Sequence, residues 1–457
     1  MIEYALLAFG FFSGIWFLRS FRTELYKLAT RTLNVLNHLL SNIPEEEKVA
    51  RVQKSTFGLL ASLFTSLVLI IGAIAASLLP YWIYTSRIYG YGIVVPTKLW
   101  DIVAISIGAS LPFFVPLKKS ENGYSELSQL LHHLILDNYS LGLKLFKREL
   151  KKRAKLNINS KNQFVIVTGL ARAGTTSLMN HLATIETFKS LSYANMPLLL
   201  APNTWAKFYK PKNQELKVRS HNDGIKIGLE SNEALEEYFF KAISDDSFIN
   251  KTDLGAYDLS EDEYEKYLNY QSLIRQNESD IYLAKNNNFL LRYNRLRALN
   301  SEFIVAIMLR EPLTHAASLL EKHKQYCHMQ EEDEFVLDYM NWLGHHEFGL
   351  NQKVFNFGDS PPKGDKFKLD YWLMVWINFY NQVLEIEDSK CLVIDYQLYC
   401  QDPKQTVNTI AKLIGVNNDI SPIQPFKNKR LIKPDCDQEL LNKANSIYAQ
   451  LSKRHLA

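Results

Sequence analysis

Residues 57–79 carry no charge, and apolar side chains fill every face of a helix drawn through them. A helix needs roughly 20 apolar residues to cross a bilayer core, so the pattern predicts a transmembrane helix there. A buried core helix is the other reading of such a run, but this one lacks any polar face. A second apolar stretch, 99–117, is interrupted by Pro112 and carries Asp101 near its start. A third, 4–18, is a shorter possible span; Glu3 precedes it, so it lacks the basic start of a signal peptide. Leu127, Leu130, Leu131, Leu134 and Ile135 then recur at helical spacing and lead into a basic run, Lys144, Lys147, Arg148, Lys151, Lys152, Arg153 and Lys155. That run reads either as a surface for anionic headgroups or as a solvated linker helix.

The rhythm changes after residue 159. Short apolar runs at 164–168, 189–193, 281–284, 303–309 and 391–395 alternate with longer helical patterns. Such alternation predicts an α/β fold of three layers, with a central parallel sheet covered by helices on both faces. Residues 351–366, with Gly358, Pro361, Pro362 and Gly364, read as a loop. The expected organisation is a membrane region at 1–123, a basic juxtamembrane linker at 124–158 and an α/β domain at 159–457.

Composition narrows the functional classes. Lys and Arg number 52 against 48 Asp and Glu, a net charge of +4. That near balance argues against a general nucleic-acid binder. The four cysteines, Cys327, Cys391, Cys400 and Cys436, form no C-x-x-C pair, which disfavours a zinc site or a disulfide framework and fits a reducing compartment.

The run Phe164–Thr168 feeds a loop bounded by Gly169 and Gly174, the G-x-x-x-x-G spacing of a phosphate cradle. Backbone N–H groups in such a loop, and the positive end of the helix that follows, attract an anion. A nucleotide-triphosphate loop would continue with Lys; here Thr175 and Thr176 follow, and the cation sits inside the loop as Arg172. A second strand pattern, 303–309, ends in Arg310. Pro312 then stands where it can open a helix, and Ser318 follows.

The stretch Arg172-Ala173-Gly174-Thr175-Thr176 resembles the loop with which sulfotransferases grip the 5′-phosphosulfate of PAPS. Arg310 with Ser318 eight positions on is similar to the family's pair for the 3′-phosphate. Glu311 stands where the family usually has Asp. Lys285, after Ile281–Ala284, resembles a strand-end lysine of many members, and Tyr396-Gln-Leu398 resembles the family's Tyr-Glu-x-Leu with Gln397 in place of Glu. The likeness covers about residues 160–455.

It implies a P-loop-like sulfotransferase fold that binds PAPS through Gly169, Arg172, Ala173, Gly174, Thr175, Thr176, Lys285, Arg310 and Ser318, and transfers a sulfuryl group to an acceptor hydroxyl with no metal required. Arg172 would neutralise charge growing on the bridging oxygen. The family's bases are His or Glu/Asp beyond the first βα unit. His221 and Asp223 are the first candidates here, then Glu233, Glu236 and Glu237, which also read as a solvated helix face. His181 reads as structural, Trp372 and Trp376 as core, and His323 as either packed or pocket-facing.

The competing readings are a P-loop kinase, which would want Lys at position 175, and a membrane scaffold with a degenerate nucleotide domain. Basic residues 19–54 before the first span, and Lys118 and Lys119 after the second, put the catalytic region on the cytoplasmic side. With membrane lipids as neighbours, the expected acceptor is a glycan or glycolipid at the membrane. A soluble carbohydrate and a protein tyrosine are the alternatives.

Overall fold

The computed structural model describes residues 1–40, 44–90, 96–114, 126–153, 160–209, 217–218, 226–227, 234–358, 360–416, 423–425 and 436–456. The chain forms two compact units, Met1–Asn138 and Tyr139–Ala457. Their boundary falls inside the 124–158 segment.

The first unit is helical: α1 (Ile2–Ser20), α2 (Arg22–Leu40), α3 (Glu45–Tyr89), α4 (Leu99–Ser110) and α5 (Glu126–Leu136). Two of these, α1 and α3, are long and apolar enough to cross a membrane by length and composition. The uncharged run 57–79 lies within α3 and turns Leu60, Phe64, Leu67, Ile71 and Ile74 outward. A core helix would bury them, so the outward face suits hydrocarbon rather than water.

Of the expected span 99–117, residues 115–117 lie outside the described residues. Its α-helix ends at Ser110, and Leu111–Phe114 tighten into a 3₁₀ turn at Pro112, the residue that cannot donate to an α-helical ladder. The second helix of spanning length is instead α1. Within the unit α1, α3 and α4 touch closely: a Cβ on Gly10 would strike the Ser77 carbonyl, and one on Gly108 the Ala8 carbonyl. Arg31 on α2 donates through Nη1 to Gly58 O at 2.7 Å and Ser62 Oγ at 2.6 Å on α3.

The second unit starts with α6 (Tyr139–Arg153) and is built on five parallel strands: β1 (Phe164–Thr168), β2 (Phe188–Lys189), β3 (Ile281–Lys285), β4 (Ile304–Leu309) and β5 (Cys391–Asp395). Their order is β2-β3-β1-β4-β5. β1, β3, β4 and β5 are buried along their whole length, as continuous apolar runs in a parallel sheet must be when helices cover both faces. The run expected at 189–193 is shorter in the fold. Ser192 N donates to Asn195 Oδ1 at 2.8 Å, which starts a 3₁₀ turn and ends β2 at Lys189.

Alternation assigns each face its core. Val165 and Val167 of β1 join Leu283, Ala306, Met308 and Ile394 against Leu178, Met179 and Leu182 of α7 (Thr175–Ala183). On the opposite face Phe164 stacks on Phe303, ring centroids 4.8 Å apart, and meets Tyr267 edge-on. Parallel strands place their carboxyl ends at one edge. Lys285, Gly169, Arg310 and Tyr396 therefore line up in the order of β3, β1, β4 and β5. The chain turns back across the sheet at β1, and such switch points are where open α/β sheets bind ligands.

Candidate active site

The loop between β1 and α7 has a specific backbone. Gly169 (φ 144°) and Gly174 (φ 106°) have positive φ, and so does Arg172 (φ 72°). For glycine this is free of steric cost; for arginine it is strain held by the surroundings. At Gly174 the requirement is double, because a Cβ there would enter the ring of Tyr396. That position closes the loop and starts α7 with no side-chain cap, so the first N–H groups of the helix remain available to an anion.

Three side chains from distant sequence hold this loop. Arg310, next after β4, donates through Nη1 to the Arg172 carbonyl at 2.8 Å. Arg172 Nε approaches Ser318 Oγ at 3.4 Å. Lys285, at the end of β3, donates to Thr176 Oγ1 at 2.9 Å. Every described cation expected at the site is therefore at one edge of the sheet; Arg310, Arg172 and Ser318 are joined by direct contacts, and so are Lys285 and Thr176. Thr175 is buried beside them, as is Ala173. Neither threonine acts as an N-cap, the ordinary role open to it from sequence; the cap residue is Gly174.

Arg310 is positioned from several sides. Trp376 on the helix Leu369–Leu384 donates its indole N–H to Arg310 O at 3.2 Å. The guanidinium lies 5.1 Å from the centre of the Tyr396 ring. Glu311 does not pair with it. Its carboxylate instead accepts from Leu313 N (2.9 Å) and Thr314 N (2.8 Å), capping the helix Pro312–Glu332 with Pro312 in its first turn. The longer Glu makes the bonds an N-cap carboxylate should.

His315 was not visible from sequence. It is fully buried, and Nε2 lies 2.7 Å from Ala171 O, so the ring donates there and fastens the loop between β1 and α7 to the helix after β4. Burial, then the nearby Arg310 charge, lowers its pKa to about 3, which keeps it a neutral donor. Nothing in the chain pattern marks this histidine except its place five residues beyond Arg310.

His221, Asp223 and Glu233 lie outside the described residues. Glu236 and Glu237 do not form a solvated face. Both are buried. Glu236 accepts from Tyr267 OH, Tyr282 OH (3.0 Å) and Asn286 Nδ2 (2.9 Å), and burial raises its pKa to about 6. Glu237 takes a two-pronged ion pair from Arg292, 2.7 and 2.8 Å, and also accepts from Asn286. The two carboxylates thus brace the residue that follows Lys285.

His181 bonds to Tyr399 OH at 2.5 Å and is structural. His323 packs between Phe367 and Trp372 and accepts the Gly349 N–H at 3.1 Å; burial lowers its pKa to about 4. Trp372 is buried, with its N–H on Lys366 O. Among the described residues, no three His, Cys, Asp or Glu side chains are grouped to hold a metal ion.

No family model matches the sequence, and no curated protein matches it. Among solved structures the chain is similar to the sulfotransferase STF1 from Mycobacterium tuberculosis H37Rv, at 14% identity and a TM-score of 0.38, over 72% of this chain and 82% of that one. It is also similar to STF9 from Mycobacterium avium (13%, TM-score 0.37, 81% and 86%) and to a sulfotransferase from Alicyclobacillus acidocaldarius (17%, TM-score 0.33, 64% and 92%).

Proposed function

We propose that the second unit is a PAPS-dependent sulfotransferase. The observation that carries this reading is the contact of Arg310 and Ser318 with Arg172. They are 138 and 146 residues away in the chain, yet they meet the phosphate loop at neighbouring strand tips. A donor carrying phosphates at both ends of one adenosine needs two such anion grips side by side. Loop N–H groups, Arg172, Thr175 and Thr176 would hold the 5′-phosphosulfate, and Arg310 with Ser318 the 3′-phosphate. Lys285 stands next to the loop through Thr176.

In the reaction the acceptor oxygen bonds to sulfur as the bond from sulfur to the bridging oxygen breaks. The 5′-phosphate leaves with that electron pair, and a base takes the hydroxyl proton. Positioning and charge neutralisation dominate such in-line transfers. Arg172 would neutralise the departing oxygen, and His221 or Asp223 would take the proton.

The membrane setting is part of the proposal. Candidate spans in the first unit make a glycan or glycolipid presented at a membrane the favoured acceptor. A cytoplasmic catalytic unit requires an even number of crossings between Lys54 and Lys118, so Leu99–Phe114 would cross along with α3. Twelve α-helical and four 3₁₀ residues reach about 26 Å, against a hydrocarbon core of about 30 Å. Local thinning and the following Lys118 and Lys119 would make up the difference. Labelling of single cysteines at positions 50 and 440 by an impermeant thiol reagent tests this: both protected in right-side-out vesicles agrees, and position 440 alone labelled refutes it.

The deciding experiment for activity is transfer of labelled sulfate from PAPS into total lipid, glycan and protein fractions, with Arg172→Ala alongside. Label in lipid or glycan that depends on Arg172 supports the proposal. Label in protein alone refutes the acceptor class. Turnover of ATP with magnesium in place of PAPS refutes the sulfotransferase reading.

A further inference from the structure

We propose that the second unit rests on an anionic lipid surface through one face of α6, with Phe208 as its apolar contact. The helix is two-sided. Gly142, Phe146 and Glu149 are buried, whereas Lys144, Lys147, Arg148, Lys151 and Lys152 are exposed. At about 100° per residue the five cations occupy one continuous arc of about 140°, from Lys152 at the edge nearest Glu149 round to Lys147. The rest of the basic run behaves differently: Arg153 turns inward and donates to Arg275 O, and Lys155 lies outside the described residues. A solvated helix usually mixes both signs in i,i+4 pairs. Here Glu149 is the one acid in α6, and it faces the protein.

Glu149 joins the basic helix to an aromatic segment. Oε1 accepts from Asn203 N at 3.0 Å and Nδ2 at 2.9 Å, and Oε2 accepts from Thr204 N at 2.8 Å. The turn Pro202–Trp205 is thereby fixed to α6. Trp205 stacks on Tyr209, ring centroids 5.4 Å apart, and Phe208 between them is 80% exposed. A basic helix tied to a segment that carries an outward phenyl ring has the composition of a bilayer-interface surface.

Duplex nucleic acid would also attract the cations, but its bases are already stacked and offer little to an exposed phenyl ring; a single strand, whose bases can stack on such a ring, is separated by the test below. The chain also brings its own bilayer, since α1 and α3 are long and apolar enough to cross one. Each Lys or Arg near an anionic leaflet strengthens attachment by about fivefold, so five need no specific headgroup pocket.

The test uses the full chain in nanodiscs. Phe208→Cys, in a Cys436→Ser background that leaves the three buried cysteines in place, carries a polarity-sensitive dye. Its emission should shift blue in discs containing phosphatidylserine relative to phosphatidylcholine alone, and high salt should reverse the shift. The triple variant Lys144→Gln, Lys147→Gln, Lys151→Gln should lose it while melting at the parent temperature. Equal emission in both discs overturns the proposal. So does a shift that survives the triple variant, or one produced in phosphatidylcholine discs by an added oligonucleotide. No catalytic readout is involved, so failure of the sulfotransferase reading leaves the result interpretable.

Discussion

Arg172 combines two properties that a pair of substitutions can separate. Its backbone is left-handed, φ 72°, and its side chain is the loop's cation. A non-glycine residue in that conformation costs about 1–2 kcal/mol, and glycine returns roughly 0.5–1 kcal/mol of this through the freedom it gains when unfolded. Arg172→Gly and Arg172→Ala both delete the guanidinium and its 3.4 Å approach to Ser318, so those losses cancel between them. What remains is strain, and Arg172→Gly should be the more stable variant by about 0.5–1 kcal/mol, or about 2 °C in melting temperature for a unit of this size. Both should lose sulfuryl transfer by about 10²–10³-fold, the usual effect of removing one preorganised charge-stabilising donor. Thermal unfolding of the two variants and initial rates with saturating PAPS provide the readouts. If the glycine variant melts at or below the alanine variant, the strain reasoning is wrong. If either keeps the parent rate, the guanidinium has no part in the transition state.

Four further outcomes are expected. Lys285→Met should weaken binding of PAP, the bisphosphate left when PAPS gives up its sulfuryl group, by about 10–100-fold, the loss of one charge-assisted bond, read by calorimetry; unchanged affinity removes the lysine from the site. Arg292→Met leaves the buried Glu237 carboxylate uncompensated and should cost about 3–5 kcal/mol in denaturant unfolding, partly restored by adding Glu237→Gln. Gly174→Ala drives a methyl into the Tyr396 ring and should cost about 1–3 kcal/mol, with Tyr396→Ala returning part of it. The pH profile of stability should carry two opposed contributions. His315, lowered to about 3, gives stability that is full above its ordinary value of about 6.5 and lost as pH falls toward 3. Glu236, raised to about 6 from 4.5, gives stability present below 4.5 and lost as pH rises through 6. Glu236→Gln should therefore make stability rise more steeply with pH between 4.5 and 6; an unchanged slope there contradicts the assignment.

Features that depend on local periodicity and close spacing were legible in the chain alone. Uncharged runs and alternating apolar segments specify α3 and the buried strands, because burial of apolar area needs no partner identity. Two glycines five apart, and an arginine at each of two strand ends, specify where an anion can sit, because parallel strands must present their carboxyl ends together. Contacts between distant residues could not be read in this way. The His315 bond to Ala171 and the Trp376 bond to Arg310 join segments 144 and 66 residues apart, and the left-handed Arg172 is held by contacts from the later part of the chain. Glu236 and Glu237 looked like surface charge because their compensation comes from Arg292, Asn286, Tyr267 and Tyr282 elsewhere in the chain. The end of the α-helix in the second apolar stretch has a related origin. Hydropathy sums side chains, while the backbone at Pro112 decides where a helix must stop.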